Sequence, residues 1–339
     1  MDGPAAGAGP MAARRRAGPP VLAYHLSAGE RERFAGHPSR PVLVDAEPGR
    51  PAWLPPAEAE GLLCFMGAWA KAPAAPPPGW PFGLRWIQLA SAGVDVLPGW
   101  AFDGPVVCCA RGVTAGAIAE YVLAVLLEAE KRIGEMRLAS REDFARLGNE
   151  HDWPLRPLGT LAGRTLGLLG LGAIGQAVAR RAQAFGMRIL AVRRSGAAPP
   201  LDFVALRPDL ASLAAESDHL VLCAPATRET ERIVDEAVLA AARPGLHLVN
   251  VARGRLVDHA ALARAVAAGR VRATLDVTDP EPLPAGHPFY GDPRVRLTPH
   301  MAWYSPDHHE RLTGKLLDNL GRFARGEPLA DAVPPGRGY

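Results

Sequence analysis

The chain has 339 residues, 48% of them hydrophobic and 22% charged, with a formal net charge of +3. That length suits two domains, each burying its own core, and the composition excludes disorder over most of the chain. The near-neutral balance argues against nucleic acid or an anionic membrane as partner.

Four cysteines, Cys64, Cys108, Cys109 and Cys223, lack any C-x-x-C spacing and mostly lie in apolar runs. They fit a reducing compartment with neither disulfides nor zinc. The longest apolar run, AIAEYVLAVLL, carries Glu120 and falls short of a membrane span, so a soluble, cytoplasmic chain is expected.

Residues 1–19 are rich in small residues, Pro and Gly, with arginines at 14, 15 and 16. They lack an apolar targeting core and are predicted to form a disordered tail, with Met1 or Met11 as the start. Five short apolar runs follow: VLAYHL at 21, PVLVD at 41, GLLCF at 61, LRWIQLA at 84 and PVVCCA at 105. With Pro/Gly loops and short helices between, they predict a compact parallel α/β domain. TAGAIAEYVLAVLLEAEKRIGEMRLASRE then reads as one long helix, with Ile118, Tyr121, Val122, Val125, Leu126, Ile133 and Met136 as its apolar positions.

Six further runs, TLGLLG at 165, RILAV at 188, HLVLCAP at 219, LHLVNVA at 246, ATLDV at 273 and VRLTPH at 295, predict a doubly wound sheet. A last helix is predicted from Ser305 as cap and Pro306 in its first turn. It buries Leu312, Leu316, Leu320 and Phe323 and stops at Gly326.

GLLGLGAIGQAVARR carries Gly170-x-Gly172-x-x-Gly175 between a predicted strand and helix. Gly170 allows the tight turn, Gly172 lets the amides of Ala173 and Ile174 approach a pyrophosphate, and Gly175 lets the helix pack on the strand. An acid that would take the ribose hydroxyls of NAD is expected at the end of the next strand. Here that place holds Arg193, Arg194 and Ser195. Guanidinium groups suit a 2′-phosphate and point to NADPH, with NAD as the lesser option; the plainer alternative is a pair of solvated loop arginines.

Three residues at predicted strand ends complete a reaction: Arg253 in NVARGRLVD, Glu281 in LDVTDPEPLP and His300 in LTPHMAWYS. Taken singly, each has an ordinary explanation as a surface group. Together after a dinucleotide unit, Arg253 would fork a carboxylate, His300 would give a proton to a carbonyl oxygen, and Glu281 would orient the imidazole. The sum is reduction of a 2-oxo acid.

LASAGVD, AIAEYVLA, GLLGLGAIGQAVAR, APATRET, NVARGRLVD, LDVTDPEPLP and LTPHMAWYS, in this order, resemble the D-isomer-specific 2-hydroxyacid dehydrogenases. The resemblance implies two doubly wound parallel-sheet domains, a Rossmann cofactor domain (112–301) inserted into a flavodoxin-like substrate domain (20–111 plus 302–339). It implies a cleft that closes on substrate and a homodimer built on the long helix. By resemblance Arg253, Glu281 and His300 are catalytic, Pro225 and Thr230 line the cofactor path, and the Val251 backbone and Asp276 meet the nicotinamide amide. The backbone at Met66, Gly67 and Ala68, with Gly93, would help bind the substrate.

Arg193 and Arg194 resemble the NADPH-preferring glyoxylate and hydroxypyruvate reductases of that family. CFMGAWAK lacks the arginine that its phosphoglycerate dehydrogenases use for the substrate phosphate, and no regulatory domain is expected after residue 339. The favoured substrates are therefore glyoxylate and hydroxypyruvate, with a larger 2-hydroxy acid as an alternative. TPHMAWYS also resembles the C-terminal-binding-protein corepressors around Trp303, which gives an alternative in an NAD(H)-sensing binding protein. No metal site is expected, since the adjacent His308 and His309 point to different sides of a helix.

Overall fold

A computed structural model describes residues 18–45, 49–143, 157–194 and 198–336. The predicted N-terminal tail up to residue 17 and Ser195 lie outside the described residues. The chain divides into two compact units: one runs to Val113 and resumes at Pro306, and the other spans Thr114–Ser305.

In the first unit the five apolar runs form β1 (Val21–His25), β2 (Val42–Asp45), β3 (Gly61–Cys64), β4 (Trp86–Leu89) and β5 (Val106–Cys108). They pair in parallel in the order β2-β1-β3-β4-β5, the doubly wound order of flavodoxin-like sheets. Alternation sends Leu62, Ile87 and Val107 to one face. Leu22, Leu63 and Trp86 go to the other, where they meet Phe34 of α1 (Ala28–Ala35).

The C-terminal helix of this unit buries Leu312, Leu316, Leu320 and Phe323 on that second face, as their spacing predicts. It begins later than expected, at His308, with Asp307 at the N-cap position but without a side-chain cap bond, rather than after Ser305. Gly326 ends it in the left-handed region at φ 70°. A buried bond from Asn319 to the Gln88 side chain (2.7 Å) fixes the helix against β4.

The second unit holds a parallel sheet of seven strands among the described residues, one more than the sequence predicts. They are β6 (Thr165–Leu169), β7 (Arg188–Val192), β8 (Val204–Leu206), β9 (His219–Leu222), β10 (Leu246–Asn250), β11 (Val271–Leu275) and β12 (Val295–Leu297). The order is β12-β11-β10-β9-β6-β7-β8. Chain direction therefore reverses its winding at β6, which pairs with both β7 and β9. In such sheets a ligand crevice lies at the carboxyl ends of the strands at this switch point.

Helices α2 (Ala115–Lys131) and α3 (Ala173–Ala184) cover one face with Leu166, Leu168 and Val221. Helices α4 (Leu210–Glu216), α5 (Glu236–Ala241) and α6 (His259–Ala267) cover the other with Leu220, Leu222 and Leu248. The long predicted helix is corrected here. It stops at Lys131, Arg132 turns left-handed at φ 51°, and a short 3-10 turn follows over Ile133–Met136. Ile133 and Met136 are exposed rather than buried, because the turn takes them off the α2 stripe.

Candidate active site

Two of the three loop glycines are required by the geometry. Gly170 sits at φ 97°, where a Cβ would lie 3.0 Å from the backbone of Cys223 and Ala224. A Cβ on Gly175 would come within 2.3 Å of the Gly170 carbonyl oxygen. Neither position accepts a side chain, so loop and helix close together only with glycine. A Cβ added at Gly172 would meet nothing within 4 Å, and no side chain caps the helix that starts at Ala173. The arrangement fits the phosphates of a dinucleotide, which Gly172, Ala173, Ile174 and Gly175 would hold on the helix N-terminus.

Two flanking loops rise at the same strand ends. After β7, Gly170 N–H donates to Val192 O at 2.8 Å, one residue before Arg193. The exposed Arg193 guanidinium donates to Ala198 O at 3.1 Å. The neighbouring Glu229 is held below the usual carboxylate range, first by the Thr227 hydroxyl and further by the charges of Arg194 and Arg228. After β9, Thr230 Oγ1 donates to Pro225 O (2.7 Å) and accepts from Thr227 N–H (2.8 Å), which locks the Pro225–Thr230 loop into one turn.

Two residues predicted from sequence pair in this unit. His300 Nδ1 lies 2.7 Å from Glu281 Oε1. A carboxylate only accepts, so Nδ1 carries the proton and Nε2 is left to exchange one with a ligand. Glu281 is itself held by Thr278 N–H at 3.2 Å on its second oxygen. About two fifths of each side chain is exposed, enough for a small molecule to reach the pair.

Arg253 follows β10 and opens a short 3-10 turn, Gly254–Leu256. Its guanidinium donates to Ala252 O at 2.8 Å. The buried Asn250, absent from the sequence prediction, shapes this corner: its amide donates to Arg253 O (2.9 Å) and accepts from Ala252 N–H (3.0 Å). Val251, also buried, lies between them.

Asp276 is buried and its carboxylate accepts from Thr298 Oγ1 (2.6 Å), Met301 N–H (3.1 Å) and Ala302 N–H (3.0 Å). Through these bonds the carboxylate organises the loop that bears His300. The sequence offered no signal for this duty, since the partners lie 22 to 26 residues away.

In the five-stranded unit, Met66, Gly67 and Ala68 form a 3-10 turn directly after β3. Trp69 closes that turn and is buried against Trp80 and Trp100, with ring centroids 6.0 and 5.8 Å away. Gly93 lies in the loop after β4, where its carbonyl accepts from Ser91 Oγ at 3.3 Å. Among the described residues no cluster of His, Cys, Asp and Glu is placed to hold a metal ion, and no helix is long and apolar enough to cross a membrane.

Residues 123–302 match the family model "D-isomer specific 2-hydroxyacid dehydrogenase, NAD binding domain", which is more than half of the chain. The chain belongs to the D-isomer-specific 2-hydroxyacid dehydrogenase family. It is 33% identical over 258 residues to the glyoxylate/hydroxypyruvate reductase B of Pectobacterium carotovorum, covering 74% of this chain and 79% of that one. It is 37% identical over 232 residues to the glyoxylate reductase of Korarchaeum cryptofilum, covering 66% of each, just under two thirds. Among solved structures, the NADPH-dependent glyoxylate/hydroxypyruvate reductase of Sinorhizobium meliloti, in complex with NADP and malonate, superposes with a TM-score of 0.72. It is 29% identical and matches 94% of this chain and 97% of that one. Two parallel-sheet α/β units, one of them a Rossmann NAD-binding domain, are the fold of this family.

Proposed function

We propose that this family member, an NAD(P)-dependent dehydrogenase acting on the CH–OH group of D-2-hydroxy acids, works as a reductase of a small 2-oxo acid with NADPH. Glyoxylate and hydroxypyruvate are the substrates favoured. The observation that carries the reading is the 2.7 Å His300–Glu281 pair in the same unit as the glycine loop. When bound, the reduced dinucleotide supplies the hydride. Arg253 holds the substrate carboxylate in its fork, and His300 delivers the Nε2 proton to the carbonyl oxygen as charge develops there. Glu281 keeps the ring oriented and stabilises the imidazolium before that transfer. Asp276 and the Val251 backbone receive the nicotinamide amide, and Pro225 and Thr230 border the dinucleotide's path. Met66, Gly67, Ala68 and Gly93 contribute backbone contacts to the substrate.

Arg193 and Arg194 are assigned to the 2′-phosphate. Their place one strand over from the glycine loop supports this, as does the NADP bound by the Sinorhizobium relative. A cytoplasmic homodimer completes the proposal. The test is initial rates with NADPH and NADH on glyoxylate, hydroxypyruvate, pyruvate and phenylpyruvate. Faster NADPH oxidation on the two small acids supports the reading. A preference for phenylpyruvate replaces the substrate class, and dinucleotide binding without turnover on any of them replaces the enzyme by a sensor.

A further inference from the structure

His300 occupies a backbone conformation that a residue with a side chain adopts only when its surroundings impose it: φ is 54°, in the left-handed region. The restraints converge on the segment 298–303. His300 N–H is shared between Asp276 O and Thr298 O, each at 3.0 Å. Trp303 Nε1 donates to His300 O at 2.8 Å. The Asp276 carboxylate gathers Thr298, Met301 and Ala302, as described above.

One member of this set comes from far away in sequence. Tyr121, on α2, places its hydroxyl 2.7 Å from Thr298 Oγ1. The direction of the chain follows from chemistry. A carboxylate has no proton to give, so Thr298 O–H donates to Asp276 and its oxygen must accept from Tyr121 O–H. Burial pushes the Tyr121 phenol above its ordinary value, which keeps that proton in place. The bonds run in one direction, from Tyr121 through Thr298 to Asp276, and Asp276 fixes the loop of His300.

We propose that Tyr121 is a positioning residue for the reaction, setting the orientation of His300 through Thr298 and Asp276. The inference rests on the reading of His300 as the proton donor. Tyr121 precedes the 123–302 span of the family model and touches neither the glycine loop nor the Glu281 carboxylate in any bond described. Its effect should therefore fall on turnover more than on binding.

The test uses the full chain with the 2-oxo acid and dinucleotide that give the highest rate. Tyr121→Phe removes one proton donor at nearly constant volume. The expected result is an approximately tenfold lower kcat, with KM for the 2-oxo acid and dinucleotide affinity within about twofold of wild type. Thr298→Ser, which keeps the hydroxyl, retains most of the activity, whereas Thr298→Val loses at least as much as Tyr121→Phe. The double variant Tyr121→Phe/Thr298→Val should be no slower than Thr298→Val alone, because the chain is broken once. A wild-type kcat in Tyr121→Phe, or full additivity in the double variant, overturns the proposal. His300→Ala run alongside separates the two readings: if it stays active the proton-donor assignment fails, and if it is inactive while Tyr121→Phe is unaffected only the positioning role fails.

Discussion

A Cβ on Gly254 would sit 2.0 Å from the Thr278 carbonyl carbon and 2.5 Å from Asp279 N. The turn after Arg253 and the loop before Glu281 therefore touch backbone to backbone, and only glycine lets them. Gly254→Ala must push the 278–281 loop away and with it Glu281, whose second oxygen depends on Thr278 N–H. The expected outcome is a loss of about 100-fold or more in kcat/KM, since misplacement of a reacting group by about 1 Å costs that much. Thermal melting should show a folded chain of lower Tm, and near-wild-type kinetics in Gly254→Ala would mean that the loop contact does not set the site.

The 2.7 Å pair of His300 and Glu281 sets a second expectation. His300→Ala should lower turnover by roughly 100-fold or more while dinucleotide affinity, read by fluorescence titration, stays close to wild type. Glu281→Gln keeps a hydrogen-bond acceptor beside Nδ1 but removes the charge that favours imidazolium. Its kcat should fall less, by about tenfold. Wild-type turnover in Glu281→Gln would show that the carboxylate charge does not serve His300.

Why the site was legible in sequence while parts of its support were not follows from range. The glycine loop, Arg253, Glu281 and His300 each stand in a short contiguous motif whose residue types are fixed by local needs. The Tyr121–Thr298 bond spans 177 residues, and nothing in the neighbourhood of either residue announces it. Among the elements, β8 was missed because its three residues, Val204–Leu206, stand between Pro200 and Pro208 in a stretch that reads as a connecting loop. The end of α2 was missed because the left-handed residue is Arg132 and not glycine, so the composition carries no break. At the last helix, Ser305 and Asp307 are both plausible caps around Pro306, and the helix starts after the second.

The cofactor assignment stands on Arg193 and Arg194. Replacing both, with Asp at 193 and Pro at 194, removes two positive charges and adds one negative at the end of β7. The ratio of kcat/KM for NADPH to that for NADH should fall by about 100-fold or more, mostly through a higher KM for NADPH. An unchanged ratio would transfer the 2′-phosphate to other groups, of which Arg228, sharing the Glu229 carboxylate's surroundings with Arg194, is the first to substitute.

The final prediction concerns stability at the amino ends of the same sheet. Glu130, buried at the end of α2, lies 3.1 Å from Arg272, 3.4 Å from Arg164 and 3.3 Å from His219 Nε2. The His219 contact, aided by the two arginines, pulls its carboxyl down to about 2. His247 meets His219 edge to face, with the two Nδ1 atoms 3.2 Å apart, and burial holds it well below its ordinary value. Both groups bind protons more weakly folded than unfolded, so both stabilise the fold at high pH and lose that contribution as pH falls. For His247 the loss begins near the ordinary histidine value of 6.5, and for Glu130 it runs from about 4.5 down to about 2. Tm measured from pH 8 to pH 3 should therefore decline in two stages. Glu130→Gln should lower Tm at neutral pH, because it leaves Arg164 and Arg272 without their shared counter-charge, and should flatten the lower stage. A variant whose Tm still falls as steeply as wild type below pH 4.5 would show that other carboxylates drive the acid transition.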